Sequence, residues 1–170
     1  MELYDIALNL IQTRIPGFRK GTDVPAYSHS EHVYDILVKY GLAEEICLAG
    51  LLHDVIEDGD TSLDELTALG FSDRTVALVS LCTHDMTSSE SGDARWVKMI
   101  ARLIEANDRA AWLIKLADLF DNAQSADTMS PARARFNKEV KVPLLLSVTK
   151  EVAGDHGIWK ELADFYEKNG

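Results

Sequence analysis

Cysteine is scarce in this 170-residue sequence, and the two present, Cys47 and Cys82, lack CxxC spacing. Their apolar, helix-like surroundings make them buried free thiols rather than a disulfide or a thiolate metal site. Proline is also sparse: four scattered residues leave no proline-rich linker. No apolar run approaches the ~18 residues of a membrane span, and Met1 opens an acidic amphipathic segment instead of a basic signal sequence. A soluble, cytoplasmic protein without membrane partners is expected. Positive charge is short as well, with 17 Lys and Arg against 28 Asp and Glu and a net charge of −11. That balance argues against a general nucleic-acid binder. An acidic protein can still take a phosphorylated small molecule, provided a metal and a few local cations reverse the field in its pocket.

Apolar residues make up 46% of the chain, enough for a sizeable core. At this length residues 1–170 are expected to form one domain, and there is no internal repeat or low-complexity segment. Leu3, Ile6, Ala7, Leu10 and Ile11 predict a first amphipathic helix ending before Pro16. Residues 17–28 read as a loop. Helices are predicted over about 29–40 and 43–57, then a short one capped by Thr61 and stopped at Gly70. Others are predicted over about 73–83, 94–105, 108–120, 131–152 and 158–167, with a kink or break at Pro143. No stretch alternates like a convincing strand, so the fold class is all-α, a bundle of about eight helices.

The informative stretch is EICLAGLLHDVIEDGD, residues 45–60. On a helical wheel with His53 at zero, Glu57 falls at about 40°, Asp54 at about 100° and Asp58 at about 140°. The rest of the wheel is apolar: Leu48, Ala49, Leu51, Leu52, Val55 and Ile56. A helix apolar over most of its circumference is a buried one, so its polar stripe carries an imidazole and three carboxylates into an enclosed site. Buried carboxylates need a cation, and a divalent metal suits both histidine nitrogen and aspartate oxygen. The plainer alternative is a solvated helix end before Gly59. It has most force for Asp58 and less for His53 and Asp54, one turn deeper.

Further ligands have to come from other helices. In WLIKLADLFDN, residues 112–122, Lys115, Asp118 and Asn122 share a face amid Leu113, Ile114, Leu116, Leu119 and Phe120. Asp118 is the best further carboxylate, whereas Asp121 lies off that face and reads as solvated or as a helix-end group. Either His29 or His32 could be a ligand. His84 and His156 lie near loops and read as surface residues or residues behind the ligands, a pocket role for His84 being the lesser alternative. Trp96, Trp112 and Trp159 fall at apolar helical positions and read as core rather than base-stacking platforms.

In this order the segments resemble the HD superfamily, most narrowly the (p)ppGpp hydrolase domain of RelA/SpoT-type enzymes and the stand-alone small alarmone hydrolases. The matching stretches are RKGTDVPAYSH (19–29), LLHDVIEDGDTSLDEL (51–66) and IKLADLFDN (114–122). Beyond residue 122 only a weak similarity around Arg135 and Phe136 remains. The resemblance implies metal ligands His29, His53, Asp54 and Asp118. It favours His29 over His32, because the family's first ligand follows a Pro-Tyr-like loop and precedes an x-x-Val pattern, here Ser30-Glu31-His32-Val33. It implies that Glu57 and Asp58 position or deprotonate the attacking water, that Arg19 and Lys20 contact the nucleotide, and that Lys115 and Asn122 line the phosphate pocket. The implied cofactor is manganese, although this ligand chemistry also suits iron and zinc.

The implied activity is release of the 3′-pyrophosphate from guanosine 3′,5′-bis(diphosphate) (ppGpp), the alarmone of the stringent response. One rival is an HD phosphohydrolase acting on another nucleotide, such as a nucleotidase or an NADPH phosphatase. Another is a non-catalytic nucleotide-sensing HD module, which predicts loss of Glu57, Asp58 or a ligand; all are present. Departures from the family pattern are Ser30 in place of proline, Ala26 between Pro25 and Tyr27, Leu119 in place of a basic residue, and Asp121 in place of an aromatic or histidine.

Overall fold

The computed structural model describes residues 2–19, 22–85 and 89–169. Its helices in chain order are α1 (Leu3–Arg14), α2 (Ser28–Lys39), α3 (Glu44–Leu52), α4 (Leu63–Ala68), α5 (Asp73–Cys82), α6 (Gly92–Ala106) and α7 (Arg109–Gln124), then α8 (Pro131–Phe136), α9 (Val142–Ala153) and α10 (Gly157–Asn169). A 3₁₀ turn, Ala126–Thr128, follows α7, and a π-helical turn, Asn137–Lys141, joins α8 to α9. Among the described residues the only β pairing is an isolated bridge between Phe18 and Pro25. The expected all-α class holds.

Two helices are central. Every residue from Cys47 to Leu52 of α3 is buried, and α7 is buried from Ala110 to Ala117 and again from Leu119 to Asp121. Helices apolar all round need neighbours on every side. Accordingly α3 packs against α1, α2, α5 and α7, and α7 also meets α2, α5, α9 and α10. The core is therefore built around the two helices that carry the predicted chemistry. Cys47 and Cys82 are buried free thiols.

Helix ends follow local chemistry. Ser62, Ser72, Ser91, Asp108 and Ser130 each accept a main-chain N–H of the first turn that follows. The short fourth helix is thus capped by Ser62 rather than Thr61, with the serine bonded to the Glu65 N–H at 3.1 Å. Gly70, at φ 92°, ends that segment in the left-handed region that glycine tolerates.

Two boundaries differ from expectation for identifiable reasons. The predicted 43–57 helix stops at Leu52, and residues 53–58 form turns. His53 Nδ1 lies 2.7 Å from the Gly50 carbonyl, the acceptor a continuing α-helix would offer to the Asp54 N–H. Asp54, Glu57 and Asp58 would also crowd negative charge onto a helix C-terminus, the wrong end of the macrodipole. The predicted 131–152 helix is divided by the π-helical turn just before Pro143. Proline supplies no N–H and crowds the preceding turn, and the wider turn accommodates both.

Candidate metal centre

His29 lies in the first turn of α2, His53 and Asp54 follow the end of α3, and Asp118 lies in α7. Ligand atoms of His29, His53 and Asp118 all fall within 4.8 Å of one another. His29 Nε2 is 3.2 Å from Asp118 Oδ1 and 3.7 Å from Asp54 Oδ2, and His53 Nε2 is 3.2 Å from Asp54 Oδ1. His29, His53 and Asp118 thus form one cluster, and Asp54 touches both histidines beside it. His32 does not join them; its Nδ1 lies 3.0 Å from Asp121 Oδ1, and its side chain is half exposed.

The two imidazoles present their Nε2 atoms to the cluster. The Gly50 carbonyl can only accept, so His53 Nδ1 carries the proton there. His53 Nε2 is fully buried and has no hydrogen-bond partner, despite the nearby Asp54 oxygen. A buried nitrogen in that condition is costly unless something coordinates it. His29 Nδ1 lies 2.6 Å from Asp121 Oδ2. Such an outer partner fixes the tautomer and ring orientation of a metal-binding histidine. Two imidazole nitrogens and two carboxylates make a donor set that fits a divalent ion.

The electrostatics point the same way. Burial lowers the His29 pKa, but hydrogen bonds to Asp118 and Asp121 and the Asp54 charge together push it up to about 10. For Asp54, burial favours the neutral acid, yet the neighbouring His53 and His29 hold it well below the usual carboxylate range. Burial opposes Asp118 ionisation too, and Lys115 and the two histidines reverse it. The cluster draws positive charge into its centre.

Supporting side chains surround it. Lys115 hydrogen-bonds Asp118 Oδ2, and Asn122 Nδ2 donates to Asp118 Oδ1 at 2.6 Å. Both line the cavity, and each is already committed to Asp118. Arg19 likewise donates to Asp121 Oδ2 at 2.9 Å and to Ser125 Oγ at 3.1 Å. Lys20 lies outside the described residues. The cavity next to the cluster measures about 520 Å³, and its walls include Glu57, Asp58, His84, Arg133 and Lys141. Burial, with Asp54 and Glu57 nearby, pushes the Asp58 carboxyl up.

Three features depart from the favoured sequence reading. Asp121 is buried and meets Arg19, His29 and His32, rather than lying in solvent. Its position three residues after Asp118, only about 60° away on a wheel, was the available signal. His84 takes its lesser expected place, in the cavity: its main-chain N–H donates to Glu57 Oε1 at 2.6 Å, and its Nδ1 lies 2.7 Å from Glu57 Oε2. Trp96 is buried as expected yet also lines the cavity, as do Arg133, Asn137 and Lys141 from the chain's last third.

An all-helical bundle that presents a His-Asp step and a distant His and Asp to one buried point defines a class of helical metal-binding folds. Residues 7–144 match the HD domain family, and the chain belongs to it. The chain is 31% identical, over 150 residues, to a probable guanosine-3′,5′-bis(diphosphate) 3′-pyrophosphohydrolase of Synechocystis sp., covering 84% of this chain and 18% of that protein. It is 30% identical over 134 residues to a GTP pyrophosphokinase of Streptomyces coelicolor, covering 75% of this chain and 16% of the relative. The chain thus spans less than a fifth of the length of these curated relatives.

Two solved structures share the fold. A metazoan ortholog of SpoT, described as hydrolysing ppGpp and acting in starvation responses, superposes with a TM-score of 0.78 at 22% identity, covering 99% of this chain and 95% of the other. A protein from Listeria monocytogenes gives 0.68 at 20% identity, covering 90% and 98%. No helix among the described residues is long and apolar enough to cross a membrane.

Proposed function

We propose that this chain is a metal-dependent phosphohydrolase that removes the 3′-pyrophosphate from ppGpp, with manganese held by His29, His53, Asp54 and Asp118. The observation that carries the proposal is the convergence of two oriented imidazoles and two carboxylates beside Glu57 and Asp58, in a cavity that also holds cations. The two named relatives are proteins of guanosine polyphosphate metabolism, which supports this substrate class.

His29, His53, Asp54 and Asp118 would hold a divalent ion, which would supply Lewis acidity toward water and phosphate oxygen. The chain's own residues do the rest. Glu57 is fixed by two contacts from one residue, the His84 N–H at Oε1 and the His84 ring at Oε2. So restrained, its remaining lone pairs can orient a water molecule and accept its proton. Asp58 lines the same cavity next to Glu57 and can help align that water. Lys115 and Asn122 fix the Asp118 carboxylate from both of its oxygens.

The test is pyrophosphate release from ppGpp with added manganese, comparing the unmodified chain with Asp54→Ala and Glu57→Ala. Turnover that falls by about 10²-fold or more in both variants is expected, the usual scale for a lost metal ligand or proton acceptor. Full turnover by Glu57→Ala would remove that residue from its role. No turnover by the unmodified, metal-loaded chain would reject ppGpp and direct attention to other phosphorylated nucleotides.

A further inference from the structure

Four Lys and Arg side chains line the cavity among the described residues: Arg19, Lys115, Arg133 and Lys141. Two of them are spent. Arg19 is paired with Asp121 and Lys115 with Asp118. Their positive charge is already met by carboxylates, so they have little left for a ligand. Arg133 and Lys141 make no ion pair and no side-chain hydrogen bond with any described residue. Lys141 is half-buried, with its ammonium 5.1 Å from the Trp96 ring centroid and 5.7 Å from that of Phe136. Aromatic faces restrain a cation without neutralising it. Burial pulls the Lys141 pKa down, so an anion placed against it would be favoured electrostatically.

Backbone geometry puts these groups on one wall. Arg133, Asn137, Lys141 and Leu145 recur every four residues, and all four line the cavity. In a plain α-helix that spacing drifts by about 40° per step. The wider π-helical turn, Asn137–Lys141, falls in the middle of the series and offsets the drift. Asn137 sits between the two cations in sequence and lines the same wall, its buried amide Nδ2 3.3 Å from Met129 Sδ.

We propose that Arg133 and Lys141 form a second phosphate subsite, which holds the diphosphate that is not attacked. The cavity is then built for a nucleotide phosphorylated at two positions: one group meets the metal cluster, and the other meets this wall. This rests on the phosphohydrolase reading above for the ligand's identity. Its physical basis, two uncommitted cations on a preformed wall, stands apart from that reading.

Calorimetric titration of the manganese-loaded full chain with guanosine 5′-diphosphate and with guanosine tests the proposal, for the unmodified chain and for Lys141→Met, Lys141→Arg and Arg133→Gln. Methionine keeps an apolar stem against Trp96 and Phe136, and Arg133 is exposed, so circular dichroism should show both variants folded. The expected result is a loss of guanosine 5′-diphosphate affinity of about tenfold in Lys141→Met and in Arg133→Gln. Guanosine affinity should stay unchanged and Lys141→Arg should bind like the unmodified chain. Equal diphosphate affinity in all four proteins overturns the subsite, as does an equal loss for guanosine and its diphosphate. The ppGpp assay is scored separately. Hydrolysis without a Lys141 effect leaves the function standing and the subsite rejected, whereas a Lys141 effect without hydrolysis does the reverse.

Discussion

His29 Nδ1 lies 2.6 Å from Asp121 Oδ2, and the same carboxylate is reached by Arg19 and His32. Asp121 is thus the hub that turns the His29 Nε2 toward His53 and Asp118. Asp121→Asn keeps a side-chain oxygen that can accept from His29 but discards the charge, whereas Asp121→Ala discards both. Metal affinity should fall about 10–100-fold in the alanine variant and by less in the asparagine variant. Competition with a chelating fluorophore reads this directly. An alanine variant that binds manganese as tightly as the unmodified chain would show that α2 packing alone orients His29.

The Glu57–His84 pair gives a second prediction. If His84 acts by positioning Glu57, His84→Asn should retain much of the activity, because its amide can donate from near the place of Nδ1. His84→Ala should lower kcat about tenfold or more with little change in KM, since one carboxylate oxygen loses its partner. Equal damage in the two variants would instead assign His84 a direct part in proton transfer.

The residues legible in the sequence are those whose surroundings on their own helix are informative. His53 and Asp118 stood out because α3 and α7 are apolar almost all round, and an acid or imidazole there requires a partner. The end of α3 was not legible, since it depends on the His53 ring taking the Gly50 carbonyl, a choice no periodicity records. His84 follows α5 and meets Glu57 only through packing across 27 residues of chain. Lys141 reaches the cavity through a π-helical turn, and a wheel drawn at a constant angle cannot reveal it.

Gly50 gives a prediction about packing. A Cβ at this position would overlap Leu37 Cδ1 and stand 3.4 Å from Val33 Cγ1, where α2 crosses α3. Leu37 and Val33 are both fully buried and have little room to yield. Gly50→Ala should therefore destabilise the chain by about 1–3 kcal/mol through overpacking, although alanine is the better helix former. Urea unfolding measures it. A neutral or stabilising result would mean that α2 and α3 separate without cost, and metal affinity should then drop, because His29 and His53 sit on either side of that contact.

Asp108 gives a prediction about pH. Its carboxylate accepts the Ala110 and Ala111 N–H groups at the start of α7 and pairs with Arg74 at 2.5 Å and 2.9 Å. The Arg74 hydrogen bonds, helped by the cap, hold its pKa below the ordinary aspartate value of about 3.9. Because the folded value lies below the unfolded one, the charge-dependent stabilisation is complete above about pH 4. It is lost as pH falls from there toward the folded value. Arg74 is partly exposed, which limits the ion pair to about 1 kcal/mol or less. Asp108→Asn keeps a competent helix cap and removes the ionisation, whereas Asp108→Ala also loses about 1 kcal/mol of capping. The stability gap between the unmodified chain and Asp108→Asn should accordingly narrow between pH 7 and pH 3 in urea melts. The further loss in Asp108→Ala should persist at both. A gap for Asp108→Asn that does not change with pH would mean that the Arg74 contact adds nothing beyond the cap.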